Sequence, residues 1–220
     1  MDRSLLDDEE YRATTFHVID FEATTPRGHR PEPIEVAVIS LRAQGTELTE
    51  IARFTELMQP PSHAPITPMD TAQTGIAPHM VAALPTAGEV LAKLDAWLTS
   101  PRPWLMVAHH APTESGILYD YRQHCPRLAM TDFLDTVRLS RAIYPGLHSH
   151  GLDALRDHLK IPPPPGRHRA LPDTQLTATL FIRLIGEGAQ AAVWGNLREI
   201  RKVGGCKAKA SMPRQESLFG

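Results

Sequence analysis

Apolar and polar positions over the first sixty residues follow a strand rhythm. Thr15-Phe16-His17-Val18-Ile19-Asp20-Phe21 is apolar and rich in β-formers, which predicts a strand buried in a sheet. Ile34 to Leu41 is a second β-branched run and Leu48 to Met58 a third. Three runs this close in sequence predict an antiparallel meander. The period then changes. Thr86 and Glu89 make a capping-box pair, and Val90, Leu91, Leu94, Trp97 and Leu98 recur at helical spacing. A short strand is predicted from Trp104 to Ala108, and Pro112 marks a helix start with Ile117, Leu118 and Tyr121 on one face. Phe133 to Thr136 reads as another short strand, leading into a helix over Val137 to Tyr144. Leu152, Leu155 and Leu159 form a further stripe, closed by Pro162 to Pro165. The last helix is expected from about Asp173, with Leu176, Leu180, Phe181 and Leu184 as its apolar side. Strands first, then strands alternating with helices, predict an α/β fold: a mixed sheet with helices on its faces.

Composition bounds the classes. The 220 residues suit one domain with a full core, and 42% hydrophobic with 22% charged residues is ordinary for a globular protein. The 20 prolines gather in connecting stretches such as Pro60-Pro61. Cys125 and Cys206 stand far apart, which argues against a disulfide framework or a cysteine zinc site and for a reducing cytoplasm. The first ten residues are acidic and lack an apolar run, so no signal peptide is expected, and no stretch reaches membrane-span length. A soluble, cytoplasmic protein is the expectation. A net charge of −2 excludes a basic protein that coats duplexes, but not a small site that draws phosphate through bound metal ions. Residues 197–220 hold six basic and two acidic side chains, +4 in all, leaving −6 for the rest. The expected organisation is an N-terminal extension over 1–13, a domain over 14–196 and a basic flexible tail over 197–220.

Three segments carry candidate chemistry. Asp20 and Glu22 lie two apart on the first predicted strand, so both point to one face while Phe21 points to the other. Two carboxylates this close repel unless a cation lies between them. Their position directly after an apolar run favours a metal site over a solvated pair. His168 follows Pro162 to Pro165 and Gly166, which block a helix, so it belongs to a loop. Asp173, five residues on, stands at a helix start. Alone, the two read as a loop histidine beside an aspartate favoured by the helix dipole. Glu114, after the strand that ends at Ala108, has the same reading and is the weakest of the signals.

Together and in this order, the segments resemble the DEDDh family of 3′–5′ exonucleases, which includes the proofreading subunit of bacterial replicative polymerases. The resemblance covers about residues 15 to 186 and rests on Asp20-Phe21-Glu22, on Ala108 to Glu114 and on His168-Arg169-Ala170-Leu171-Pro172-Asp173. Ile34-Glu35-Val36-Ala37, Thr74-Gly75-Ile76, Asp135-Thr136 and Leu152-Asp153-Ala154-Leu155 are minor landmarks. The family usually has aspartate at the position of Glu114 and asparagine at that of His110. The resemblance implies a ribonuclease H-like, mixed five-stranded sheet whose first three strands are antiparallel. It also implies removal of nucleoside monophosphates from a nucleic-acid 3′ end, DNA favoured over RNA, by two Mg²⁺ or Mn²⁺ ions about 4 Å apart. Asp20, Glu22, Glu114 and Asp173 would hold the ions, with Asp20 bridging both, and His168 would take the proton of the attacking water. Phe21, Ala23, Thr24, Gly75, Ile76, His109 and His110 would adjoin the terminal nucleotide. His148 and His150 read as surface loop histidines.

The chain ends Gln215-Glu216-Ser217-Leu218-Phe219-Gly220. This resembles the short peptide by which bacterial replication and repair proteins dock on the sliding clamp, through Gln215, Leu218 and Phe219. Two other functions fit the same residues: an exoribonuclease or oligoribonuclease, and a catalytically weak adaptor module tethered through its tail.

Overall fold

The computed structural model describes residues 5–44, 47–98, 103–166 and 168–212. The early strand-forming runs become β1 (Thr15–Thr24), β2 (Glu32–Gln44) and β3 (Glu47–Leu57), an antiparallel meander as the pattern predicts. β4 (Trp104–Ala108) and β5 (Phe133–Asp135) add to it in parallel, beside β1 and then beside β4. Among the described residues the sheet has six strands in the order β3-β2-β1-β4-β5-β6, not the expected five. The sixth, β6 (Gly205–Cys206), pairs antiparallel with β5.

Alternation along β1 and β2 sorts the core onto two faces. Phe16 and Val18, with Ile39 and Leu41 opposite them, pack under Leu180, Phe181 and Leu184 of the long helix α9 (Ala170–Gln190). Ile19, Val36 and Val38 face the other way, onto Val90, Leu91 and Leu94 of α4 (Ala87–Trp97). The helices, in order, are α1 (Glu9–Ala13), α2 (Pro68–Thr74), α3 (Pro78–Val81), α4 (Ala87–Trp97) and α5 (Ala111–Asp120), then α6 (Pro126–Ala129), α7 (Thr136–Ile143), α8 (Leu152–His158), α9 (Ala170–Gln190) and α10 (Leu197–Gly204). The predicted capping box is formed: Thr86 Oγ1 accepts from Glu89 N and the Glu89 carboxylate accepts from Thr86 N. Each large side chain buried in these faces contributes about 1.5–3 kcal/mol.

Residues 5–13 and 197–212 are more integrated than the sequence pattern suggests. Leu5 and Tyr11, in the segment expected to be an extension, are buried in the α9-side core, and Asp8 accepts the N–H of Leu197 at 2.6 Å. The apolar pattern, expected to dissolve near Arg198, instead continues through α10, which buries Leu197 and Ile200. Residues 205–212 run on as β6 and a 3-10 turn at Lys209–Ser211. There Asp132 accepts from Ala208 N and from the Lys207 ammonium, and Ser115 Oγ accepts from Lys209 N. Gln215, Leu218 and Phe219 lie outside the described residues. Among the described residues no helix is long and apolar enough to cross a membrane.

Candidate active site

The parallel strands β1, β4 and β5 run the same way and end on one side of the sheet. Val18 stands level with Val107, and Val107 with Leu134. Two residues further along each strand therefore bring Asp20, His109 and Thr136 to one level. Crevices at the carboxyl ends of parallel strands are where open α/β sheets carry ligands.

Asp20 and Glu22 lie on the β1 face that α9 covers, the face set by Phe16 and Val18. Asp173 stands on the first turn of α9, which starts at Ala170, three residues earlier than expected. Pro172 is tolerated in that turn because its missing N–H would have no intrahelical acceptor. Oxygens of Asp20, Glu22 and Asp173 all lie within 4.8 Å of one another. Asp20 and Glu22 are half-buried, and Asp173 is 8% exposed. Side chains 153 positions apart in the chain thus converge, and that convergence could hold a divalent cation.

Glu114 and His168 stand outside this group. Glu114, on the first turn of α5, is 5% exposed, and its Oε2 has no hydrogen-bond partner among the described residues. Burial pushes its pKa up to about 8; the hydrogen bond from its own backbone N–H opposes this and the negative charge of Asp135 adds to it. His168 is exposed, in the left-handed backbone region at φ 64°, two residues before α9.

The residues expected near the terminal nucleotide divide into groups. His109 Nδ1 meets Thr136 Oγ1 at 2.8 Å, tying the end of β4 to the start of α7. His110 takes φ 75°, its N–H donates to Asp135 Oδ1 at 3.2 Å, and its ring reaches Thr113 Oγ1 at 3.1 Å. Gly75 ends α2 at φ 73°, a conformation glycine adopts without steric cost. Ile76 is fully buried and packs with Ile34, Ile66 and Val81, so its side chain belongs to the core and only its backbone can face a substrate. Thr24 is buried as well, its hydroxyl 3.3 Å from Ala64 O. Phe21 packs against the α4-side core, on the face opposite the carboxylates, and Ala23 is half-buried beyond it.

The sequence pattern marks Glu35 only as a landmark and does not single out Arg169. Glu35, 4% exposed, accepts two hydrogen bonds from Arg169, at 2.9 and 2.6 Å, and one from Ala170 N at 2.8 Å. The available signal was an acid inside the apolar run Ile34 to Leu41, because a buried carboxylate requires partners. Asp135, which caps α7 through Val137 N at 2.9 Å, was likewise noted without a role.

Residues 17–181 match the RNase_T exonuclease family. The chain belongs to that family. The exonuclease is 30% identical over 174 residues to a DNA polymerase III subunit epsilon from Aquifex aeolicus, covering 79% of this chain and 81% of that protein. It is also 30% identical over 185 residues to a PolC-type DNA polymerase III from Oceanobacillus iheyensis, of whose length it spans 12%. Among solved structures, the nuclease domain of 3′hExo, a DEDDh family member bound to rAMP, superposes with a TM-score of 0.71 at 21% identity, over 83% of this chain and 96% of that one. The protein is a 3′–5′ exonuclease, its structural neighbours include a DEDDh nuclease, and that family works with divalent metal ions.

Proposed function

We propose that the exonuclease removes nucleoside monophosphates one at a time from the 3′ end of single-stranded DNA, in replication or repair. The convergence of Asp20, Glu22 and Asp173 carries the reading. Likeness to a DNA polymerase III subunit over four-fifths of its length favours DNA. The rAMP bound to the 3′hExo domain favours RNA as the second reading.

Three carboxylates within 4.8 Å form a hard, oxygen-only donor set, which fits Mg²⁺ or Mn²⁺ better than zinc. Glu114 fits a second ion, since its buried Oε2 lacks a hydrogen-bond partner among the described residues. Bound there, the two ions would polarise the scissile phosphate and offset the charge that builds on it. Asp20, Glu22 and Asp173 would hold one ion, and Glu114, with Asp20, would hold the other. His168 accepts the proton of the attacking water; an imidazole on an exposed loop suits this because it can both take up and release a proton. Water oxygen bonds to phosphorus and the bond to the 3′ oxygen breaks; that oxygen takes a proton from solvent and leaves as the 3′ hydroxyl of the shortened strand, while the released nucleoside monophosphate keeps the phosphate. The backbone at Phe21, Ala23, Gly75 and Ile76, with His109 and His110, borders the terminal nucleotide. Gln215, Leu218 and Phe219 would tether the enzyme to a sliding clamp; retained clamp binding after deletion of residues 215–220 would remove that assignment.

End-labelled single-stranded DNA and RNA, incubated with Mg²⁺ or Mn²⁺, test the substrate. A ladder on DNA that outpaces RNA is the expected result, and a ladder on RNA alone selects the second reading. Undiminished cleavage by purified Asp20→Ala protein would overturn the site.

A further inference from the structure

We propose that Glu35 and Arg169 are positioning residues: together they set where Asp173 stands against Asp20 and Glu22, and so whether the carboxylates close on a divalent ion. The inference rests on the metal reading above. It begins with strand register. On β2, Glu35 lies directly opposite Glu22 and Ala37 directly opposite Asp20. The two β1 residues that carry the site thus have as cross-strand neighbours two residues that touch the first turn of α9. Glu35 accepts from Arg169 Nε and Nη2, and from the Ala170 N–H. The Thr174 hydroxyl lies 3.4 Å from Ala37 O while donating to Ala170 O at 2.6 Å. Asp173 sits between these two fastenings, so its distance from β1 follows from theirs.

The charges support the same role. Glu22 and Glu35 face each other on one side of the sheet, where like charges repel. Arg169 answers both: its hydrogen bonds to Glu35, with the nearby charge of Glu22, hold its proton more firmly than usual. A planar, two-pronged grip of this kind fixes direction as well as distance. Lysine, with one rotatable ammonium, keeps the charge and loses the fork. Glutamine at position 35 keeps the volume and one acceptor, but loses the charge and the second oxygen.

The test uses the full-length chain carrying Glu35→Gln or Arg169→Lys, with wild type and Asp20→Ala beside them. Mn²⁺ binding is read from the paramagnetic resonance of free Mn²⁺, without substrate. Melting temperature, kcat and KM on a single-stranded oligonucleotide are measured in parallel. Groups that hold metal ligands in place commonly govern about 10–100-fold in metal affinity. Both variants should therefore bind Mn²⁺ at least about tenfold more weakly and lose kcat with KM little changed, and the double variant should be no worse than the more affected single one. Wild-type Mn²⁺ affinity in the folded variants would overturn the inference, as would a lowered melting temperature with affinity intact. Equal Mn²⁺ binding by wild type and Asp20→Ala would instead remove the metal reading itself, and the inference with it.

Discussion

Glu114, which we propose serves the second ion, is buried with one oxygen lacking a hydrogen-bond partner among the described residues. Glu114→Asp draws the carboxyl back by one methylene, so the ratio of Mg²⁺- to Mn²⁺-supported rates should change; an unchanged ratio would place this side chain away from the ions. His17 sets a second prediction at this scale. Burial, with the positive Arg42 as the smaller cause, lowers its pKa to about 4. As pH falls below about 6.5, the unfolded chain takes up a proton that the folded chain refuses, so the native state loses about 1.4 kcal/mol per pH unit until about pH 4. Above pH 6.5 that stability is fully present. Thermal melts of wild type and His17→Gln from pH 7 to 4 should show the wild-type slope flattened in the variant. Residue identity was legible where local geometry decides it: Asp20 and Glu22 share a face because any strand alternates. The Glu35–Arg169 contact was not, because its partners lie 134 positions apart.

Helix α9 joins the site to the core. Its first turn carries Asp173, and near its other end Gly188 lies beneath Trp194, which is 1% exposed and donates to Ile185 O. A Cβ at Gly188 would come within 2.1 Å of the Trp194 ring. Alanine gains about 1 kcal/mol of helix propensity over glycine, against an overpacking cost of about 1–3 kcal/mol. A ring this enclosed has no room to yield, so the clash should prevail. Gly188→Ala is expected to lower the melting temperature by several degrees while leaving Mn²⁺ affinity nearly unchanged. At the capping box, Thr86→Ala should cost about 1 kcal/mol, measurable by denaturant unfolding. Long elements with a strong period, such as β1, β2, α4 and α9, were readable in the sequence. α10 and β6 were not: α10 buries only Leu197, Ile200 and Gly204, and β6 is two residues long and begins with glycine. Their place comes from the open edge of β5 and from Asp132, which no local pattern reveals.

The molecule is braced across its ends. β6 covers the β5 edge, and Lys209 N–H bonds Ser115, the neighbour of Glu114 on α5. A chain truncated after Gly204 should melt lower than one truncated after Met212, because the β5 edge and Asp132 lose their partners. Equal melting by the two truncations would make residues 205–212 a passive appendage. The mixed sheet and its antiparallel start were legible because the hydrophobic period switches from two to near four along the chain. The strand count was not, since a two-residue strand leaves no periodic trace. One consequence follows from the 153 positions that separate Asp20 from Asp173. A growing polypeptide that has left the ribosome only as far as α8 carries two of the three clustered acids. Under the proposed metal assignment such a partial chain lacks one acid of the first ion site, and it should cleave no nucleic acid until the last long helix has been made.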